Sequence, residues 1–230
     1  MGQARESCKT LPGDPPVELV LRRSARARRI TLRVSSLDGR VTLSLPRGVS
    51  ERAGLAFAEE RSDWIRSHLS KRAPGRGVAL GGVVPVLGAP REVVEGAPGL
   101  GPDVLRVRAA RPVGPQVQAV VKEAARGALV AASGRYAAAI GRVPGRITLR
   151  DTRSRWGSCS WQGNLNYSWR LALAPFDVLD YVAAHEVAHL AHMDHSPAFW
   201  SVVTRLCPDW KAHRAWLRTH GGDLHAWQFG

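Results

Sequence analysis

Residues 185–195 read H185-E-V-A-H-L-A-H-M-D-H195, placing His185, Glu186, His189, His192 and His195 close together in a chain with 8 histidines. On a helix, residues four apart stack on one face, so His185 and His189 present two imidazoles to one metal ion. Glu186 sits one step round that face, where its carboxylate can take a proton from a water held by the metal. Imidazole pairs suit zinc, with another divalent first-row metal as the alternative. Chance histidines on a helix would be surface or capping groups instead. The helical context weighs against that reading. Pro175 suits a helix start, Asp177 and Asp180 suit its positive end, and Val178, Val182 and alanines 183, 184, 188 and 191 suit a buried helix.

Two histidines leave the metal short of a third protein ligand. Glu186 is the last glutamate of the chain, and the later acids are Asp194, Asp209 and Asp223. Later histidines are therefore the better source. On a continuous helix His192 would lie about 10 Å along the axis from His185, too far for zinc–nitrogen bonds of about 2.1 Å. A break near His192, which Pro197 signals, folds the chain back and returns His195 to the metal. The reversal commonly uses a glycine where His192 stands, so His192 must accept a strained or different turn there. Three histidines and a nearby glutamate leave a fourth position open, as catalytic zinc sites do.

The flanking motifs R153-S-R-W-G-S-C-S160, G163-N-L-N166, D180-Y-V-A-A-H-E-V-A-H-L190 and H195-S-P-A-F-W200 follow in one order. Together with R26-A-R-R-I-T-L-R33, D38-G-R-V-T-L-S-L-P46 and W64-I65, they make residues 20–220 resemble the YgjP-like metallohydrolases, relatives of the SprT-like zincins. The resemblance implies a zinc-dependent hydrolase with His185, His189 and His195 as ligands and Glu186 as base. SprT-like repair proteases often append a cysteine-rich zinc ribbon. The three cysteines here, Cys8, Cys159 and Cys207, form no CxxC pair.

Around Trp156 the sequence predicts an edge strand followed by a turn at Q162-G163-N164, a strand that could pair with an extended substrate. Arg153 and Arg155 alternate on it. They either hold a substrate carboxylate or phosphate, or are solvated strand arginines with Trp156 in the core. Arg155, Tyr181, His192 and His213 are candidate donors to the developing oxyanion. Cys159 reads as a small packing residue. Trp200, Trp210 and Trp216 read as the core of a helical subdomain.

The fold class expected is α+β: an amino-terminal antiparallel β-rich region with a helix, followed by a zincin-like domain carrying the HExxH helix. Residues 1–16 read as a flexible tail, 17–114 as a basic β-rich domain and 115–230 as the zincin-like metallohydrolase domain. Asp38-Gly39 signals a hairpin between alternating strands. Ser50 opens a helix to about Leu69. Apolar runs at 83–87 and 91–94 read as short strands, and Pro115 to about Ile140 as a helix with Val117, Val121, Ala124 and Ala128 on one side.

Residues 1–150 hold 26 Lys+Arg against 12 Asp+Glu, and residues 151–230 hold 7 against 7, so the excess of +14 precedes the histidine motif. Its densest stretch is R22-R-S-A-R-A-R-R29. This basic half suits an acidic or phosphate-bearing ligand or nucleic acid, or is simply a solvated face. No run of about 18 apolar residues exists to cross a membrane. Scattered cysteines and a start unlike a secretory signal suggest a reducing, cytoplasmic setting.

Three functions follow in order. The first is a zinc metallopeptidase acting on a peptide or protein substrate, with Glu186 activating water. The second is a metal-dependent nucleotide phosphohydrolase of the nucleoside triphosphate pyrophosphatase type, against which histidine ligands speak, since such sites favour oxygen-ligated magnesium. The third is a nucleic-acid-associated binding protein with a structural metal site.

Overall fold

Val41, Leu43 and Leu45 alternate with polar residues, and in the computed structural model their side chains form the buried face of a four-stranded sheet. The structure describes residues 6–25, 27–35, 39–70 and 75–230. The strands are β1 (Glu6–Leu11), β2 (Val17–Arg23), β3 (Thr31–Val34) and β4 (Val41–Leu45), in the order β1-β2-β4-β3. The β1/β2 and β3/β4 pairs are antiparallel, and the central β2/β4 pair is parallel. Helices α1 (Glu51–Glu60) and α2 (Ser62–Ser70) follow. Ser50 caps α1 by accepting the Ala53 N–H at 3.1 Å. Ala58 and Ile65 complete an apolar core with Leu11, Leu19, Leu21 and the β4 residues.

Two expectations change in this unit, which runs Met1–Pro74. Residues 6–11, expected in a flexible tail, form β1, because β2 offers a full antiparallel ladder from Glu6↔Arg22 to Leu11↔Val17. The helix expected from Ser50 to Leu69 is two helices, since the Arg61 N–H turns back to the Ala58 carbonyl and ends α1. At the expected Asp38-Gly39 turn, Gly39 has φ +69° and its N–H bonds the Ser35 carbonyl at 2.9 Å. Asp38, Arg26 of the arginine stretch and residues 1–5 of the expected tail lie outside the described residues.

The second unit is Gly75–Gly230. A sheet of order β6-β7-β9-β8 is made by β6 (Val83–Val86), β7 (Ala89–Glu95), β8 (Gly99–Leu100) and β9 (Val104–Val107), preceded by the short β5 (Arg76–Gly77). Leu87 and Gly88, with φ of +51° and +85°, form the two-residue turn between β6 and β7, a conformation that matches strand twist. Helix α3 (Val113–Ala139) buries Val117, Val121, Ala125 and Leu129, a stripe spaced by four residues. Ala124 and Ala128, expected on that stripe, flank it and are only half-buried.

Next come β10 (Ile147–Arg150), β11 (Gly157–Cys159) and β12 (Leu165–Ser168), in the order β10-β12-β11, so β11 is an edge. The expected turn before β12 is made by Gly163 at φ +75°, with Ser160 donating to the Asn164 carbonyl. A 3-10 helix at Trp169–Leu173 leads to α4 (Phe176–Ala188), α5 (Pro197–Leu206), α6 (Trp210–Ala226) and β13 (Trp227–Gln228), which pairs with β5. One core runs from Val84 on β6 through α3 and α4 to Phe229. That shared core is why this unit begins at Gly75 and not near residue 115, where the sequence suggests a boundary. No helix among the described residues is long and apolar enough to cross a membrane.

Candidate metal centre and adjoining cleft

Helix α4 ends at its cap His189, three residues earlier than the break the sequence suggests. Leu190, Ala191 and His192 then turn back through N–H bonds to the Val187 and Ala188 carbonyls. Among the described residues only Leu87 combines a side chain with positive φ, so His192 carries no left-handed strain. The early helix end removes the need for glycine there. Ser196 opens α5 by accepting the Phe199 N–H at 3.4 Å, and Pro197 occupies the first turn, where its missing N–H costs nothing.

This reversal brings His195 back to α4. The Nε2 atoms of His185 and His195 lie 3.3 Å apart, and one ligand atom from each of His185, His189 and His195 lies within 4.8 Å of the others. A tetrahedral zinc with nitrogen bonds of about 2.05 Å sets its ligands about 3.3 Å apart, so the His185–His195 pair already matches such an ion and the 4.8 Å span must contract for all three donors to reach it together. His189 Nδ1 is 3.0 Å from the His192 carbonyl. Donation there leaves the Nε2 lone pair for a cation, the usual device for fixing a ligand's tautomer. His192 thus serves the cluster through its backbone. Buried Phe199 stacks on His189 at 4.4 Å and meets the rings of His185 and His195 edge-on at 5.0 and 4.9 Å. Burial lowers the proton affinity of His185 to a pKa of about 3 and also lowers that of His189, with neighbouring imidazolium charge adding to the effect. Neutral imidazoles are the form that ligates metal.

Glu186 lies beside the cluster at 5 % exposure. Burial raises its pKa to about 8, opposed by the Arg155 charge and by a hydrogen bond from the Cys159 backbone N–H. It rests against β11 at Gly157. A Cβ there would lie 2.5 Å from both Cγ and Oε1 of Glu186, so any side chain at 157 would displace the carboxylate.

On β11, Ser158 faces Asn166, while Ser168 donates to the Trp156 carbonyl and Ser160 to the Asn164 carbonyl. The even-numbered residues therefore bond β12. Gly157 and Cys159 turn their main-chain groups to the open edge beside α4. The expected strand around Arg153 and Arg155 starts later than the sequence suggests: both arginines lie in the bend before Gly157, where strand alternation does not apply. The bend is held by Thr152 Oγ1 donating to the Arg155 carbonyl at 2.8 Å.

A cleft of about 790 Å³ opens beside His185, Glu186 and His195. Arg155 and Tyr181 line it, together with Trp156, Trp200, Arg214 and Arg218. Arg153 and His213 are not on its wall. Burial raises the Tyr181 hydroxyl to a pKa of about 12, so it remains a donor at neutral pH. Burial raises the Cys159 thiol to about 11, assisted by Glu186, which suits packing and not nucleophilic attack. Gly157, Phe199, Trp200, Arg214 and Arg218 were not singled out by sequence reasoning as site residues. Only F199-W200, one helical turn beyond His195, carried a spacing signal.

A family model described as YgjP-like, metallopeptidase domain, matches residues 28–220. No curated protein and no solved structure matches the chain.

Proposed function

Since the chain belongs to the YgjP-like family of metallopeptidase domains, a class of metal-dependent hydrolases, we propose that it is a zinc peptidase with Glu186 as general base. The observation that carries this reading is the meeting of three imidazoles with a buried carboxylate at an open strand edge. His185, His189 and His195 would hold the ion. When bound, zinc supplies a Lewis acid that polarises a carbonyl and lowers the pKa of water.

The chain's own residues then have distinct tasks. The outward main-chain groups of Gly157 accept an extended peptide by strand addition, which lays its carbonyl beside α4. Glu186 removes a proton from the attacking water and returns it to the leaving amine. Burial raises its proton affinity above that of an ordinary carboxylate, which favours taking the proton from water. The Cys159 N–H holds one end of this carboxylate in place. Tyr181 lines the cleft as a neutral hydroxyl and is the donor we assign to the developing oxyanion. His192 is not assigned that donation, since it is not on the wall of the cleft.

Phosphoanhydride hydrolysis of a nucleotide is the second reading, and the arginines of the cleft favour it. An all-histidine donor set favours zinc and the peptidase over oxygen-ligated magnesium. The three cysteines are free, which accords with a cytoplasmic enzyme. The test is hydrolysis of quenched-fluorescence peptides and of nucleoside triphosphates by the protein loaded with zinc or magnesium. Zinc-dependent peptide cleavage is expected, with a loss of about 10²–10⁴-fold in Glu186→Gln. Full cleavage by Glu186→Gln would remove the role given to Glu186, and phosphate release without peptide cleavage would reverse the two readings.

A further inference from the structure

We infer that the cleft beside the histidine cluster is a carboxylate-binding subsite, in which Arg155, Arg214 and Arg218 hold an acidic side chain or the free C-terminus of a bound peptide. This inference rests on the peptidase reading and names its substrate class.

Three arginines from two separate parts of the chain line one cleft, and the only acidic residue among its lining is the buried Glu186. Among the described residues, none of the three arginines forms an ion pair within 4.0 Å of a carboxylate. Other arginines of the same unit do find acids: Arg135 with Asp180, and Arg170 with Asp151. Overall basicity does not explain the gathering, because residues 151–230 are balanced at 7 Lys+Arg against 7 Asp+Glu. Arg214 and Arg218 are four apart on α6, a spacing at which like charges repel, and an anion between them relieves that repulsion.

The cleft is also built to aim the charge. The Arg214 guanidinium carbon lies 5.2 Å from the Trp200 ring centre, and Trp200 stacks on Trp210 at 4.3 Å with a 22° tilt. This stacked wall restricts the arginine while leaving its in-plane N–H donors for a carboxylate fork. Gly157 lines the same cleft, so a peptide bonded to the open edge of β11 runs past the arginines. Strand addition requires a main chain, which favours a peptide carboxylate over a nucleotide phosphate.

The test pairs turnover with binding, using the full-length zinc-loaded protein. Quenched peptides differing only as Glu against Gln at one position, each as free acid and as C-terminal amide, distinguish side-chain from terminal carboxylate. A preference of about tenfold or more in kcat/KM for one carboxylate form is expected, carried mainly by KM and falling to about one in Arg214→Gln/Arg218→Gln. Arg214→Glu should shift preference toward Lys peptides. Calorimetric titration of the same peptides into zinc-loaded Glu186→Gln reads the subsite without turnover. Equal cleavage of carboxylate and amide peptides overturns the subsite and leaves the peptidase reading intact. Carboxylate-dependent binding that the double substitution abolishes, without cleavage of any peptide, sustains the subsite and sinks the peptidase reading. Tighter binding of inorganic triphosphate than of the peptides, through the same arginines, overturns the proposal.

Discussion

At the scale of single residues, the contact between Gly157 and Glu186 sets how the carboxylate proposed as the base is aimed. An added methyl would sit 2.5 Å from Oε1, and the neighbour is a buried carboxylate on a packed helix with little room to yield. Gly157→Ala is therefore expected to lower kcat by about 10²-fold or more through misplacement of the base, with zinc content and circular dichroism unchanged. Wild-type turnover in that variant would show that the carboxylate tolerates displacement. The histidines separate in the same way. His195→Ala should weaken zinc by more than about 100-fold in a competition assay, whereas His192→Ala, which keeps the carbonyl that His189 needs, should change it by less than about tenfold. Comparable losses in both would refute the ligand set. The sequence could bring His185 and His189 together because they stand four apart, with Glu186 next to the first. Gly157 was not legible, because its importance exists only once β11 passes α4. Arg214 and Arg218 stayed hidden for the same reason, as ordinary charges on a helix until α6 turns them to the cleft.

At the scale of elements, α4 must be held rigidly for its histidines to stay in register. The sequence marks Asp180 as a charge suited to a helix start, and the structure gives it a second task. Arg135 Nη2 donates to Asp180 Oδ1 at 2.5 Å, and the Tyr136 hydroxyl donates to Oδ2, tying α4 to α3. Asp180→Ala should cost about 1–3 kcal/mol in urea unfolding, because it leaves a part-buried hydroxyl and a guanidinium without their acceptor. A loss under about 0.5 kcal/mol, the scale of an ordinary surface change, would mean the clamp contributes little. The same clamp predicts an alkaline transition. Burial first, and then the bond to Asp180, raises the Tyr136 pKa to about 12. The folded state thus holds this proton more tightly than the unfolded chain, whose tyrosines titrate near 10. The resulting stabilisation is complete below about pH 10 and fades as pH rises through about 12. Tyr136→Phe should flatten that decline in urea titrations, and an identical decline would assign it to other groups. Strong local periodicity made α3, β6 and β7 legible. β1 was obscured because only Leu11 of its six residues is buried, so its order comes from pairing with β2.

At the scale of the whole molecule, the site and the charge divide differently from the way the sequence suggests. With the boundary after Pro74, residues 1–74 hold 15 Lys+Arg against 8 Asp+Glu, and residues 75–230 hold 18 against 11. Each unit carries +7, so half of the basic excess belongs to the unit that contains the histidines. The sequence could not show this, because the short strands it suggests in the Gly- and Pro-rich stretch from 73 to 103 carry no local sign that they share a core with α3. Every residue assigned to the metal, the base and the carboxylate subsite lies in Gly75–Gly230, which also has its own core. That unit should therefore fold alone and take up one zinc ion per chain. A ligand that binds only the folded form at about 1,000 times its Kd adds about 4 kcal/mol. Zinc should accordingly raise the melting temperature of an isolated 75–230 fragment, and chelation should reverse the rise. A separate 1–74 fragment, which lacks all three histidines, should melt identically with and without zinc. A 75–230 fragment that is unfolded in zinc would show that the unit needs residues before Gly75, and a zinc response confined to 1–74 would move the metal centre out of the histidine cluster altogether.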